Sequence, residues 1–426
     1  MTLGLLLCAH YYVQGGKPIK GPKPRQVPKP ASTRPVLGNA LDLAKEDRFH
    51  DWMLEQAIQF EGEPWLLTIP GAVPTVMLYI PEAIEEVMNL NDTFIKGKFL
   101  IERMEHLVGT GIMASDGERW YRQRKVAAKF FTSKTLRAFV TQSMKKNLHK
   151  IEQTFIEMGV GTELDWIGRD EPHPFEEAFD LGSALTLRRI RVPEFVWKLE
   201  RWLNKRKTDK SEPTDEIKSV VELFVEQSGE ADGLRPEALV DFILSFMLAA
   251  RDTTTLTLAW LFYELGRNPD IEQAIRKEMD EKLNVTKDTY LTPDRIRSLT
   301  MLEATIKETL RYHPVAPLFM REASEDTFIC GDILVKKGQI VGLSMYSIYR
   351  NPKTWGPDAG EFKPQRWIDE KTGYDPQHST DAQLRVVTAN LLHKYRFDID
   401  PSNDGTYVTG LSLNLKYPLM ATVRRT

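Results

Sequence analysis

Trp120 and Arg124 stand four residues apart in Trp120-Tyr-Arg-Gln-Arg124. On a helix that spacing puts both on one face, where an indole N–H and a guanidinium can donate together to one carboxylate. Arg119, Arg122, Arg124 and Lys125 also form a charge run, so the segment alone reads first as a solvated basic helix. A second constellation is Ala249-Ala250-Arg251-Asp252-Thr253-Thr254, inside a long apolar stretch. Charged and hydroxyl groups amid hydrocarbon are costly unless paired. An acid beside an alcohol can relay protons into a dry pocket, or Thr253 can bond back to a carbonyl of its own helix. The third is Glu308-Thr-Leu-Arg311, an acid and a base three apart, and such pairs on exposed faces contribute little. The fourth is Phe362-Lys-Pro-Gln-Arg366-Trp367, in a turn-rich stretch after Asn351-Pro352 and Gly356-Pro357.

These residues need helices to hold them. Ile80-Pro81 to Asn89 reads as a short helix with Pro in its first turn, and Gly117 to Phe131 as another. Pro236 to Leu265 is the longest, opened by Pro-Glu and closed by Gly266. Its centre, Asp241 to Phe262, is apolar nearly all round and must be buried. Arg251-Asp252 interrupts it, so it is not a membrane span. Asn268-Pro269-Asp270 reads as an N-cap and first turn, and Thr300-x-x-Glu303 as a capping box opening a helix that Pro314 stops. Strand-like text clusters at Pro64 to Tyr79 and Thr327 to Ser344. A mostly helical chain with a small sheet is expected, without internal repeats.

Taken together and in this order, the four constellations resemble the landmarks of the cytochrome P-450 superfamily, the haem-thiolate monooxygenases. The resemblance implies that Trp120, Arg124 and Arg321 (in Phe319-Met-Arg-Glu-Ala) bind the propionates of haem b. It implies that Asp252 and Thr253 deliver protons to bound oxygen, with Ala250 where Gly is usual. Glu308, Arg311 and Arg366 would form a buried structural triad. Three lesser matches resemble the branch that hydroxylates fatty acids near the chain end: Pro35-Val-Leu-Gly38-Asn39, Gly109 to Trp120, and Ala389-Asn-Leu-Leu-His-Lys-Tyr-Arg-Phe397. The implied partners are a lipid substrate and a reductase that supplies electrons from NADPH. The implied setting is the cytosolic face of the endoplasmic reticulum membrane, as a monomer, with a soluble chain as the alternative because the apolar stub is short.

The pattern breaks at the iron. In this family a glycine-rich loop after the Pro-x-Arg-aromatic motif carries the axial Cys, whose thiolate favours O–O cleavage. The chain has two cysteines, Cys8 and Cys330, and none follows Trp367. The text runs from Ile368 to Thr380 and resumes near Leu384 with what resembles the helix after that loop. Two other places read as shortened, around Phe155 to Val160 and Ser219 to Phe224. Three losses at landmark boundaries resemble skipped exons. Cys330 reads as a semi-buried apolar residue, His393 as exposed, and His378 as a weak candidate ligand. No other metal site is expected.

Composition bounds the alternatives. The 426 residues are 42% hydrophobic and 27% charged, with a net charge of −3, which leaves no footprint for nucleic acid. Two cysteines exclude a disulfide scaffold. Residues 1–34 divide into an apolar stub, too short to span a bilayer, and a Pro/Lys-rich linker expected to stay extended. Residues 35–426 read as one cytochrome P-450-like domain, mainly α with a small β subdomain. The rival reading is a relic that binds lipid or a partner without iron chemistry.

Overall fold

The computed structural model describes residues 21–45, 47–132, 236–368 and 382–426, with isolated positions between 145 and 198. The stub, the three shortened places and His378 lie outside the described residues. The described helices are α1 (Ala40–Leu43), α2 (Phe49–Gln59), α3 (Pro81–Asn89), α4 (Gly97–Val108), α5 (Gly117–Thr132), α6 (Pro236–Arg267), α7 (Pro269–Leu283), α8 (Thr300–Tyr312), α9 (Met345–Ile348), α10 (Pro352–Trp355) and α11 (Ala382–Lys394). None is long and apolar enough to cross a membrane.

The main sheet runs β1 (Trp65–Leu67), β2 (Thr75–Leu78), β7 (Ile340–Ser344), β4 (Leu318–Ala323) and β3 (Phe94–Ile95), in that spatial order. β2 and β7 pair in parallel, Val76 opposite Val341. Both are buried along their whole length, which explains why neither carries a charged side chain. β5 (Thr327–Ile329) and β6 (Ile333–Val335) form a hairpin. β8 (Tyr395–Ile399) pairs with β11 (Ala421–Arg425), and β9 (Tyr407–Thr409) with β10 (Leu413–Leu415). β3, β4 and β8 to β11 fall outside the two stretches read as strands.

The helical core lies where α6, α7, α8 and α11 meet. Ile271, Ile275 and Met279 recur every four residues on α7 and face Leu261, Leu302, Ile306 and Val386. One stripe of α7 is thereby buried while its charged face stays in water. α6, 32 residues and about 48 Å long at 1.5 Å per residue, contacts α4, α8, α11, β8 and β10.

Three local expectations are corrected. Gly266 does not close α6, which runs on to Arg267; a Cβ there would stand 2.5 Å from Ile399, so Gly admits β8. Asn268 does not cap α7: its amide donates back to the Glu264 carbonyl and carboxylate, at 2.8 and 3.1 Å. Thr300 and Glu303 form no capping box. Instead Glu278 of α7 accepts from the Thr300 and Met301 N–H groups at 2.7 and 2.9 Å, while buried Glu303 pairs with Arg385 at 3.2 Å. The described part of the linker is docked. Arg25 pairs with Glu63 and Asp332, and the Pro28 carbonyl accepts from Leu66 N–H at 2.8 Å.

Candidate functional site

The corner where β4, α4 and α5 meet is built around Asp116. Its two carboxylate oxygens accept from the backbone N–H groups of Lys96 and Gly97, at 3.0 and 2.7 Å. That joins the start of α4 to the start of α5. Gly97 has φ +70°, and a Cβ there would lie 2.4 Å from Glu322. Only glycine allows both the left-handed backbone and this approach. Glu322 in turn accepts from Phe99 N–H at 3.0 Å, fixing β4, and with it Arg321, against α4.

Three cations gather here. Arg124 lies 5.1 Å from the centre of the Trp120 ring and Lys96 Nζ 5.2 Å from it, as cations and aromatic rings attract. Lys96 Nζ donates to the Ser115 carbonyl at 2.9 Å. Burial pulls its pKa down to about 8; Asp116 opposes that, and the positive charges of Arg321 and Arg124 reinforce it. Burial also lowers Arg321, again with Asp116 opposing. Positive charge in excess over nearby carboxylate, half-shielded from water, is the arrangement that receives an anion.

Arg321 also borders a cavity of about 270 Å³ whose walls include Leu100, Met104, Leu248, Phe319 and Leu411. Thr253 of α6 stands at its edge. The Thr253 hydroxyl donates to the Ala249 carbonyl at 2.5 Å, and Thr257 repeats the pattern toward the Thr253 carbonyl at 2.6 Å. The hydroxyl proton of Thr253 is therefore held by the helix, leaving its oxygen as an acceptor. Asp252 is on the same turn of α6, and its side chain lies outside the described residues. Trp120 and Arg124 do not line the cavity; of the three residues expected to share it, only Arg321 does.

Glu308, Arg311 and Arg366 meet in the interior. Arg311 donates to both Glu308 oxygens at 2.8 Å, and Arg366 Nε to one at 2.9 Å. Trp367 Nε1 and the Lys363 N–H complete the shell at 2.9 and 2.7 Å. Arg311 spends its remaining donors on the carbonyls of Tyr349, Ala359 and Glu361. Burial pushes the Glu308 carboxyl up, but its bonds from Arg311 and Lys363, the Arg311 charge and Trp367 outweigh this, and its pKa is lowered. The pair fastens α8 to the turn-rich stretch that leads into residues 369–381.

Lys96 is the site residue that sequence reasoning missed. It sits beside a two-residue strand, with no periodicity to mark it. Its one local signal is the glycine that follows, and that acquires meaning only once Glu322 is in place. His393 is not exposed: it is buried on α11, its Nε2 bonded to the Thr286 carbonyl at 3.0 Å. Cys330 sits in the β5–β6 hairpin with φ +51°. Burial, then the Glu86 carboxylate, raises its thiol to about 11, so it is a protonated, half-buried thiol and does not line the cavity.

These donors fit the acidic edge of a haem: Trp120, Arg124, Arg321 and Lys96 are suited to carboxylates. The axial side does not fit. Among the described residues no cysteine borders the cavity, and residues 369–381 contain none.

Comparison with known proteins follows the same lines. The Cytochrome P450 family model matches residues 28–167 and 194–397. Cytochrome P450 monooxygenase cyp1 of Mycosarcoma maydis is 29% identical over 369 residues, which is 73% of this chain and 58% of that protein's length. Cytochrome P450 86B1 of Arabidopsis thaliana is 29% identical over 405 residues, 78% of this chain and 72% of that one. Cytochrome P450 704B1 of the same plant is 27% identical over 500 positions, 92% and 94% of the two chains. The crystal structure of a cytochrome P450, CYP102L1, superposes with a TM-score of 0.72 at 19% identity, covering 95% of this chain and all of that one. That likeness concerns the fold.

Proposed function

The chain belongs to the cytochrome P450 family, and from that premise we propose that it is built as a haem-dependent monooxygenase for long-chain fatty acids or similar lipids. Electrons would come from NADPH through a reductase, at the cytosolic face of the endoplasmic reticulum membrane. The observation that carries this reading is one juxtaposition: an apolar cavity edged by Thr253 on the long helix and bordered by Arg321 of the cationic corner. Trp120, Arg124 and Arg321 would hold the haem propionates through charge-assisted hydrogen bonds. Asp252 and Thr253 move protons from solvent toward the cavity, Thr253 through its acceptor oxygen. Glu308, Arg311 and Arg366 are architectural. Haem, when bound, supplies the oxygen activation. The lipid class rests on the lining of the cavity and on the matches at Pro35–Asn39, Gly109–Trp120 and Ala389–Phe397.

The chain lacks the thiolate that this chemistry needs. We infer that a cysteine-bearing glycine-rich segment belongs between Trp367 and Arg385, and that two shorter segments are lost near 155–160 and 219–224. The alignment with the 704B1 relative supports this. It extends over 500 positions, more than the 426 residues of this chain, so the relative carries internal residues with no counterpart here. The triad is complete in its bonding, which argues against decay after loss of the iron site.

A second reading follows from the cysteine count itself: a catalytically inactive relic that binds lipid or a partner. Reduced, carbon-monoxide-treated protein separates the two. The chain as given should lack the thiolate-type difference band and should not hydroxylate fatty acids; the chain with the segment restored should show both. A mature transcript joining the Trp367 and Arg385 codons as they stand would establish the relic.

A further inference from the structure

A cleft of about 930 Å³ lies where α2, the C-terminal end of α6, the end of α8 and α9 meet. It shares a wall with the apolar cavity. His50 borders the cavity and packs at 5.4 and 5.7 Å against the rings of Tyr346 and Tyr407, which border the cleft. Arg350 lines the cleft and not the cavity. We infer that this cleft is an anion-binding site, with Arg350 as its anchor and an aromatic carboxylate as the class of ligand it takes. Such a site needs no haem.

Arg350 is 8% exposed. Its guanidinium stands 3.8 Å from the centre of the Tyr346 ring and 4.4 Å from that of Tyr312. The rings attract the cation but offer no oxygen to its five N–H donors. Among the described residues none of those donors makes a hydrogen bond or ion pair, and Nη1 is fully buried. A buried charge left in that state is costly. The other charges of the cleft are already spent. Glu264 holds His313 at 2.7 Å and Asn268 at 3.1 Å. Asp51 accepts from the Tyr346 and Tyr407 hydroxyls at 2.7 and 3.2 Å. Asp47 pairs with Lys416 at 3.4 Å and Arg48 with Glu55 at 3.1 Å. Asp404 accepts from the Thr406 N–H at 2.8 Å, and exposed Arg267 packs 5.7 Å from the centre of the Tyr263 ring.

An oxyanion supplies two acceptors that match the fork of a guanidinium. Trp260, Tyr263, Tyr312 and Phe362 add apolar ring surface to the same walls. A fixed guanidinium beside such surface suits a planar aromatic body that ends in a carboxylate. The two tyrosine rings hold the cation in place beforehand, which lowers the cost of binding.

Calorimetric titration of the full chain with benzoate, benzamide, acetate and inorganic phosphate tests this, in parallel with Arg350→Gln, Arg350→Lys and Arg267→Gln. Benzamide keeps the ring without the charge, and acetate keeps the charge without the ring. Benzoate should bind at least about tenfold more tightly than either, the discrimination expected of a charge-assisted hydrogen bond and of a buried ring. Arg350→Gln should weaken benzoate binding about 10- to 100-fold. Arg350→Lys, which keeps the charge but loses the fork, should weaken it less. Arg267→Gln removes the same charge from the exposed rim and should keep the affinity. Benzoate should also raise the melting midpoint of the unaltered chain and not that of Arg350→Gln. Equal benzoate affinity in the unaltered chain and Arg350→Gln would overturn the site, and so would equal losses in the two Gln variants, since binding would then follow net charge alone. If Arg350→Gln does not fold, the unaltered chain decides: benzamide binding as tightly as benzoate, or no benzoate binding, overturns the anion site. Phosphate or acetate binding as tightly as benzoate overturns the aromatic class.

Discussion

Arg311→Ala and Arg122→Ala make a controlled pair. Both arginines reach a glutamate across one helical turn at nearly the same distance: Arg311 to Glu308 at 2.8 Å and Arg122 to Glu118 at 2.9 Å. They differ in burial. Arg311 and Glu308 are 1% and 0% exposed, Arg122 and Glu118 68% and 70%. Removing Arg311 strips Glu308 of its bidentate partner and leaves three carbonyls, of Tyr349, Ala359 and Glu361, without their donor. Breaking one side of a buried pair costs about 3–5 kcal/mol. With an unfolding entropy of about 2.1 cal/mol/K per residue, a chain of this length carries about 0.9 kcal/mol/K, so the melting midpoint should fall about 3–6 °C. Removing Arg122 breaks a solvated pair worth about 0.3–0.5 kcal/mol, a shift of under about 1 °C. Circular dichroism melting at neutral pH reads both. If the two variants melted within 1 °C of each other, burial would not be what gives the Glu308 cluster its value.

Three further outcomes follow from the same physics. The lowered carboxyl of Glu308 contributes stability above its unfolded pKa of about 4.3, lost as pH falls through the folded value. The stability gap between the chain and Glu308→Gln should therefore close in acid, and a gap constant from pH 7 to 3 would contradict it. Burial holds His313 down to about 4, although the Glu264 carboxylate opposes it at 2.7 Å. The unfolded chain protonates first, so stability should drop by about 2–4 kcal/mol between about pH 6.5 and 4. Urea titrations of His313→Gln, which cannot titrate, should show a shallower fall over that window. Glu278→Ala removes the acceptor of two N–H groups at the start of α8 and should cost about 1–2 kcal/mol, as loss of a cap does. Glu278→Gln should cost less, and equal melting of all three chains would show that the cap is idle.

Periodicity and end signals made the helices legible. A short helix from Pro81 to Asn89, another opening at Gly117 and a long one opening at Pro236 are where Pro, Gly and the apolar pattern put them. These rules act within a few residues, so they can be read along the chain. The uncharged, mostly apolar text of β2 and β7 likewise reports strands buried on both faces. Spacing also put Trp120 with Arg124, and Glu308 with Arg311, because four or three residues on a helix fix their neighbours.

What the chain could not show locally was who stands opposite. Thr300-x-x-Glu303 has the text of a capping box, yet Glu278 from another helix supplies the cap and Glu303 turns inward to Arg385. Asn268 has the text of an N-cap but folds back on Glu264. Gly266 looks like a helix stop and instead admits β8. His393 looked solvated beside Lys394 and found the Thr286 carbonyl. Lys96 carried no signal beyond the glycine that follows it, because a cation becomes part of a site only when distant charges close around it. Side-chain partners separated by tens to hundreds of residues are chosen by packing, and packing has no period in the sequence. The sequence alone determined the helices, the family landmarks and the missing thiolate; the tertiary structure decided which polar groups those elements bring face to face.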